Sequence, residues 1–399
     1  MLRISTSYFC FFVVLGFLTS NIASEIPGHL QYLGSHRPAE GTIEHTDTWP
    51  DPETFYNNYI KPGKPLLFKG KAKEIPAFNL WTDEYLRKQY GHIKVDVEEG
   101  KKENRSLGVQ DLSLSSFVKV YRKADIYMVE SLHKEMMDEF HLPKPILCGG
   151  YTRFLQDAVI WFSSGGTKSV LHFDNIDNIN CLMDGSKELI FIDKKYKDLV
   201  EKDGFVEKGS YSSVDIEKVD MEKFPGFRNV PWWTASMEKG DCLFIPSRWY
   251  HHVSSAGPRN LAINIWFSHL PKFNQTDCKE KGELPESLPL NKFTIHSLDS
   301  SEMSRMSFVE MFSPFEDKEE ISVEEYIATM KKVYQNYIDH QEVMEIFGFL
   351  DLNHDMVLQW DELLTFNIDD FIKEFPFVFG EDDGDMEEEP KDFGKHEEL

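Results

Sequence analysis

Basic residues are scarce in this chain. Lys and Arg total 43 against 68 Asp and Glu, a formal net charge of −25 at pH 7. A surface of that sign repels phosphate backbones, which excludes nucleic-acid binding through a general basic patch. Cysteine is scarce too: five in 399 residues, too few for a disulfide scaffold. After Leu18 no apolar run approaches the roughly 20 residues of a membrane-spanning helix, so no membrane span is expected. What the chain has in plenty is apolar bulk, 41% hydrophobic and 14% aromatic residues. It can bury a core, and is neither disordered nor fibrous. Its length suits about two domains.

Both ends read as addresses. Arg3 precedes the apolar run SYFCFFVVLGFL, and TSNIAS then offers small residues for cleavage after Ala23 or Ser24. Residues 1–24 are therefore expected to be a secretory signal peptide, whose removal takes Cys10 with it. The other end, 376–399, is an acidic tail expected to be solvated. Its last four residues, His396-Glu397-Glu398-Leu399, are similar to the tetrapeptides read by the endoplasmic-reticulum retention receptor, with Glu397 where Asp is more usual. Sequons at Asn104 and Asn274 suit glycosylation in the same compartment. The expected location is the lumen of the endoplasmic reticulum, with secretion if the tail is not read.

Between these ends the patterning changes once. Residues 25–60 are loop-rich. From Lys64 strands are expected (PLLFKG, HIKVDVEE), with one helix near Thr82–Tyr90. Between Ala158 and His269 short apolar runs alternate with turn signals: AVIWF, SVLHFD, NINCLM, ELIFID, CLFIP, HHVSS, NLAINIWF. Many short strands broken by Gly-containing turns make an all-β barrel or sandwich over 25–275. Residues 276–300, polar and Pro-containing, are expected to be a linker. A helical unit follows over 301–375, with Tyr326, Met330, Val333, Tyr334 and Tyr337 on one stripe.

The first chemistry lies in Ser169-Val170-Leu171-His172-Phe173-Asp174. In an extended strand, residues two apart share a face, so His172 and Asp174 project together and Phe173 points away. An imidazole beside a carboxylate chelates a divalent metal. A third ligand is offered by Trp249-Tyr250-His251-His252, where only one of the two adjacent histidines can face inward. Two His and one carboxylate with open positions is the arrangement of non-haem Fe(II) oxygenases. After an expected turn at Asp184-Gly185, Lys187 shares a strand face with Leu189 and Phe191. A lysine there needs an anion or a path by which it snorkels to water.

WFSSGGTKSVLHFDNIDNINCLMDGSKELIFID, then MEKGDCLFIPSRWYHHVSS and NLAINIWF, resemble a JmjC-domain oxygenase of the small hydroxylase type. The resemblance covers about Pro65 to His269. It implies a mainly β fold, the double-stranded β-helix of jelly-roll, cupin-like type. It places the family's iron ligands on His172, Asp174 and His251. The 2-oxoglutarate lysine of the family lies fifteen positions after the first His, which is Lys187, and a hydroxyl three before it is Ser169. A polar residue six after it is Asn178, and Asn264 and Trp266 match the closing strand more loosely. The implied cofactors are Fe(II) and 2-oxoglutarate, and the implied reaction couples decarboxylation of 2-oxoglutarate to hydroxylation of a C–H bond. Trp161, Trp249, Tyr250 and Trp266 are expected as core rather than pocket wall.

A second metal signal follows. Asp351-Leu352-Asn353-His354-Asp355-Met356-Val357-Leu358-Gln359-Trp360-Asp361-Glu362 reads as an EF-hand loop for Ca(II), with Asp351, Asn353, Asp355, the Val357 carbonyl and Glu362 as ligands. Met356 stands where Gly makes the sharp turn, and is expected to weaken binding. Placing Ile321 at the eighth position of an upstream partner loop puts Glu325 at the twelfth. That loop lacks early carboxylates and reads as structural.

The mature chain keeps Cys148, Cys181, Cys242 and Cys278. Their pairing is open, and Cys181 and Cys242 suit buried thiols. Taken together, the residues imply a lumenal 2-oxoglutarate-dependent dioxygenase acting on a protein or peptide side chain, with a C-terminal EF-hand-like pair. The rival is a non-catalytic lumenal calcium-binding scaffold built on the same barrel.

Overall fold

The alternating runs between Ala158 and His269 assemble around two long strands, as a computed structural model shows. The structure describes residues 26–379 except 101–108, 203–209, 271, 297–299, 316, 317, 319 and 336. The expected leader with Cys10, the Asn104 sequon and the end of the acidic tail with His396–Leu399 lie outside the described residues.

The strands are β1 (Leu66–Phe68), β2 (Lys94–Glu99), β3 (Val109–Ser113), β4 (Ile126–Ser131), β5 (Leu155–Ser163), β6 (Asp177–Ile192), β7 (Trp233–Glu238), β8 (Cys242–Ile245) and β9 (Tyr250–Phe267). With the edge segment His45–Thr46 they run in the order His45–Thr46, β1, β8, β6, β9, β5, β4, β2, β3, and β7 pairs with the second half of β6. One edge of β6 is thus shared by β8 and β7 while β9 runs along the whole of the other. The doubly used strand is what folds the sheet back into a jelly roll.

Two expected turns turn out to be irregularities within single strands. NINCLM and ELIFID form one sixteen-residue strand, and HHVSS and NLAINIWF one of eighteen. Opposite Gly185 (φ 86°) the register passes from Ala256↔Ser186 to Leu261↔Asp184, so the β9 chain bulges there. A Cβ on Gly185 would lie 2.6 Å from Asn260 Nδ2 and 2.7 Å from the Arg259 carbonyl oxygen. That crowding is why glycine stands there. Arg259 fastens the bulge, donating to Asp83 Oδ1 (2.8 Å) and Asp184 Oδ2 (2.9 Å) while its guanidinium lies 4.8 Å from the Phe162 ring centroid. Asp83 opens helix α1 (Asp83–Gln89), which Thr82 caps by accepting from Tyr85 N, and this is the helix the sequence predicted.

The expected linker is folded. Helix α2 (Gln275–Lys281) is capped by Asn274, and Ser287–Pro289 pairs with His141–Pro143. Disulfides Cys148–Cys278 and Cys181–Cys242 use all four cysteines among the described residues, so the two expected buried thiols are a bridge between facing residues of β6 and β8. Cys148–Cys278 closes a separation of 130 residues. Such a cross-link removes much loop entropy from the unfolded chain. Cys278→Ser is expected to lower stability by about 4 kcal/mol, with the loss checked by urea unfolding against wild type.

The C-terminal helices are α3 (Ser300–Glu310), α4 (Val323–Tyr334), α5 (His340–Leu350), α6 (Trp360–Thr365) and α7 (Ile368–Glu374). Glu320–Ser322 pairs antiparallel with Val357–Gln359, setting Ile321 opposite Leu358. The expected stripe on α4 is too long. Tyr326 and Met330 are fully buried, whereas Val333 is exposed within the helix and Tyr337 is exposed beyond it, where the helix has ended at Tyr334 and Gln335 turns the chain with φ 52°. Phe308, Phe312, Tyr326 and Phe347 belong to the same apolar cluster as Phe55, Phe244 and Phe267 of the β unit.

Candidate active site

The segment Ser169–Asp174 is not a regular strand. It touches the sheet through the isolated bridge His172↔His251, with Lys168↔Ser254 just before it. Those bridges suffice to set the period-two alternation: His172 and Asp174 are buried at the site, and Phe173 packs edge-on against Tyr250, centroids 5.4 Å apart, on the other side.

His172, Asp174 and His251 each offer a ligand atom, and these atoms lie within 4.8 Å of one another. This is the only group of three or more such residues among those described. Asp174 Oδ1 is 3.9 Å from His172 Nε2, and Oδ2 is 3.8 Å from His251 Nε2. Each ring is held from behind. His172 Nδ1 donates to the Val170 carbonyl and His251 Nδ1 to the Trp249 carbonyl, both at 2.9 Å. A carbonyl only accepts, so both protons sit on Nδ1 and both Nε2 lone pairs face Asp174. Burial pushes the Asp174 carboxyl up, and the nearby His251 opposes that shift. A buried carboxylate between two imidazole lone pairs is a donor set that fits a divalent cation. His252 faces away from this group; burial lowers its pKa, keeping it a neutral ring.

The triad opens into one cavity with the expected cosubstrate residues, since Lys187, Ser169, Asn178 and Asn264 all line it. Lys187 is 6% exposed, so it does not snorkel to water. Burial pushes its ammonium down to about 8. It donates to Ser255 Oγ at 3.0 Å, which uses one of three N–H donors. Ser169 Oγ accepts from Val253 N at 2.9 Å, leaving the hydroxyl proton to donate. Asn178 Oδ1 is buried without a hydrogen-bond partner, and Asn264 Oδ1 accepts from Asn180 Nδ2. A buried cation with spare donors beside a hydroxyl whose proton is left to donate fits a carboxylate-bearing small molecule.

Trp161 corrects an expectation: it lines the cavity, with a buried Nε1 that has no partner. Trp249, Tyr250 and Trp266 are core as expected, Trp249 Nε1 donating to the Gly63 carbonyl at 2.7 Å. Ser255, Asn180 and Tyr127 also line the cavity and were missed. Ser255 was within reach of sequence reasoning, being four residues after His251 and therefore on its face. Tyr127 left no signal, because β4 reaches the site only by pairing with β5.

A cupin-like domain matches residues 52–273 of this sequence, more than half of its length. The chain belongs to the cupin-like domain family. Among individual relatives, this cupin-like chain is 27% identical to Lysine-specific demethylase JMJ30 of Arabidopsis thaliana, over 54% of the chain and 53% of the relative. It is 22% identical to Bifunctional peptidase and (3S)-lysyl hydroxylase JMJD7 of Homo sapiens, over 56% and 84%. It is 32% identical to tRNA wybutosine-synthesizing protein 5 of Homo sapiens, over 57% and 78%. Against JMJ30 and the demethylase-named relatives the cupin-like chain spans about half of their length.

Proposed function

We propose that this protein is an Fe(II)- and 2-oxoglutarate-dependent oxygenase that hydroxylates a protein side chain in the secretory pathway. The observation that carries the reading is the buried His172–Asp174–His251 group sharing one cavity with the buried cation of Lys187. Iron held by those three residues would supply oxidation, with O2 and 2-oxoglutarate as co-reactants and succinate and CO2 as products. Lys187, with the Ser169 hydroxyl, would hold a carboxylate of the cosubstrate in the cavity that Asn178 and Asn264 also line. Ser255 holds the Lys187 ammonium in place. Trp161, Leu189 and Ile245 line the cavity and limit water.

Two relatives carry a protein-modifying activity in their names and one a tRNA-modifying activity. The net charge of −25 favours a protein substrate over RNA here. Two disulfides among the four mature cysteines support an oxidising compartment. The leader and the tail tetrapeptide add the address, with the retention receptor as partner. Asn274 is exposed and open to glycosylation. Incubation of the mature protein with Fe(II), ascorbate and 2-oxoglutarate is expected to release succinate, faster with a peptide substrate. Release no greater than from Asp174→Asn would defeat the reading.

A second reading, calcium binding by the helical unit, draws on the closed form of the Asp351–Glu362 loop. Asp351 and Glu362 are buried, Asp351 accepts from Asp355 N and Met356 N, and Glu362 Oε1 accepts from Asn353 N. Met356 takes the left-handed φ of 68° that glycine would supply and leaves its side chain 53% exposed. The strain costs roughly 1 kcal/mol or more, so affinity is expected at the weak end, about 10⁻⁴–10⁻³ M. Calcium at 5–10 times about 1 mM is expected to raise the melting temperature of wild type and not of Glu362→Ala. Equal responses in both would remove calcium from the account.

A further inference from the structure

Where Asp174 sits is decided by the backbone around it. On one side the barrel holds this stretch: Arg248 N donates to the Asp174 carbonyl at 2.7 Å, and Ser247 Oγ to the Asn175 carbonyl at 2.9 Å. Ser247 N completes the clamp on Asp177 Oδ1 at 2.8 Å. Arg248 adopts a left-handed φ of 63°, a conformation that a non-glycine residue holds only when its surroundings demand it.

The other side is held by the helical unit. Asn175, the residue after Asp174, donates from Nδ2 to Glu310 Oε1 at 2.9 Å. Glu310 is the last residue of α3, and its backbone is fixed by its neighbours. Phe308 is 1% exposed and lies 6.1 Å from Phe366 of α6 and 5.1 Å from Phe371 of α7, centroid to centroid. A surface pair between two mobile chains contributes little. Here both partners project from anchored backbone, so less entropy opposes the bond.

We propose that the helical unit takes part in the metal site: Glu310 is a positioning residue that, through Asn175, holds the segment carrying Asp174 in ligating register. The proposal rests on the reading of His172, Asp174 and His251 as a metal centre. It gives the C-terminal helices a role in the barrel's chemistry that neither the barrel alone nor a calcium loop supplies.

The test is calorimetric titration of Mn(II) into the full-length mature protein, metal-free, in wild type, Glu310→Ala, Glu310→Gln, Asn175→Ala and the double alanine variant. Each single alanine variant is expected to bind Mn(II) about threefold to tenfold more weakly. Glu310→Gln keeps an acceptor oxygen and is expected to stay within about twofold of wild type, and the double variant to match the singles rather than their product. Melting temperatures of the metal-free proteins are expected to agree, since both side chains are exposed. Tight wild-type binding that is unchanged in both single variants, or multiplies in the double variant, overturns the proposal alone. Wild type that binds no Mn(II) overturns the metal reading and the proposal with it.

Discussion

Asp174→Asn is expected to keep its fold and lose its metal. The substitution preserves shape, removes a carboxylate that burial holds unfavourably in the metal-free protein, and leaves His172 and His251 fixed by their carbonyl partners. Unfolding of the metal-free variant should therefore occur at or above the wild-type temperature. Metal affinity moves the other way. Loss of an outer partner of a ligand already costs about 10–100-fold, and here the only anionic ligand of the group is gone. Mn(II) affinity is expected to fall by about a hundredfold or more, and succinate release to background. An Asp174→Asn protein that binds Mn(II) as wild type does would place the metal elsewhere.

Lys187→Met is expected to stabilise the ligand-free protein and abolish its response to 2-oxoglutarate. Burial lowers the Lys187 pKa from 10.5 to about 8. In the native state below that value the protonated amine is held at a cost, and the unfolded chain carries the same proton freely. Between pH 8 and 10.5 the unfolded state binds more protons than the native state, so this group's contribution to stability rises with pH there. The whole shift amounts to about 3 kcal/mol, and Met at this position removes it at neutral pH. The same ammonium is what a dicarboxylate would meet. Binding of 2-oxoglutarate to wild type is thus expected to weaken as pH rises through about 8, by up to about tenfold per unit, and to be lost at every pH in Lys187→Met. The measurements are melting curves from pH 6.5 to 10 and cosubstrate titrations at each pH. A Lys187→Met protein that melts below wild type while still binding 2-oxoglutarate would contradict both halves.

Much of the site was legible in the sequence because its geometry is local. His172 and Asp174 are two apart, and an extended backbone puts them on one face even though Ser169–Asp174 forms only isolated bridges. Lys187 and Ser255 are direct partners across β6 and β9, and Lys187 could be read from its face on the strand. Tyr127 could not, since only the pairing of β4 with β5 brings it to the cavity. Asp184-Gly185 has the composition of a hairpin turn. What decided against a turn was the bulge opposite, where Arg259 ties the sheet to Asp83 on α1. The 276–300 stretch looked like a linker because polar, Pro-containing composition says nothing about tethering. Cys148–Cys278 and the pairing of Ser287–Pro289 hold it down. On α4 the apolar stripe ran past the helix end, and periodicity alone does not mark where Gln335 breaks the chain.

The central claim is that one cavity holds a metal and a 2-oxoglutarate together. The most direct test is the melting temperature of the mature protein, without oxygen, with Mn(II) alone, 2-oxoglutarate alone, and both, in wild type, His172→Ala and Lys187→Ala. The account predicts that wild type is stabilised most by both ligands together, that His172→Ala loses the metal-dependent part, and that Lys187→Ala responds to Mn(II) but not to 2-oxoglutarate. Folded wild type that shows no stabilisation by both ligands at millimolar cosubstrate would contradict it, and would leave the barrel as a scaffold.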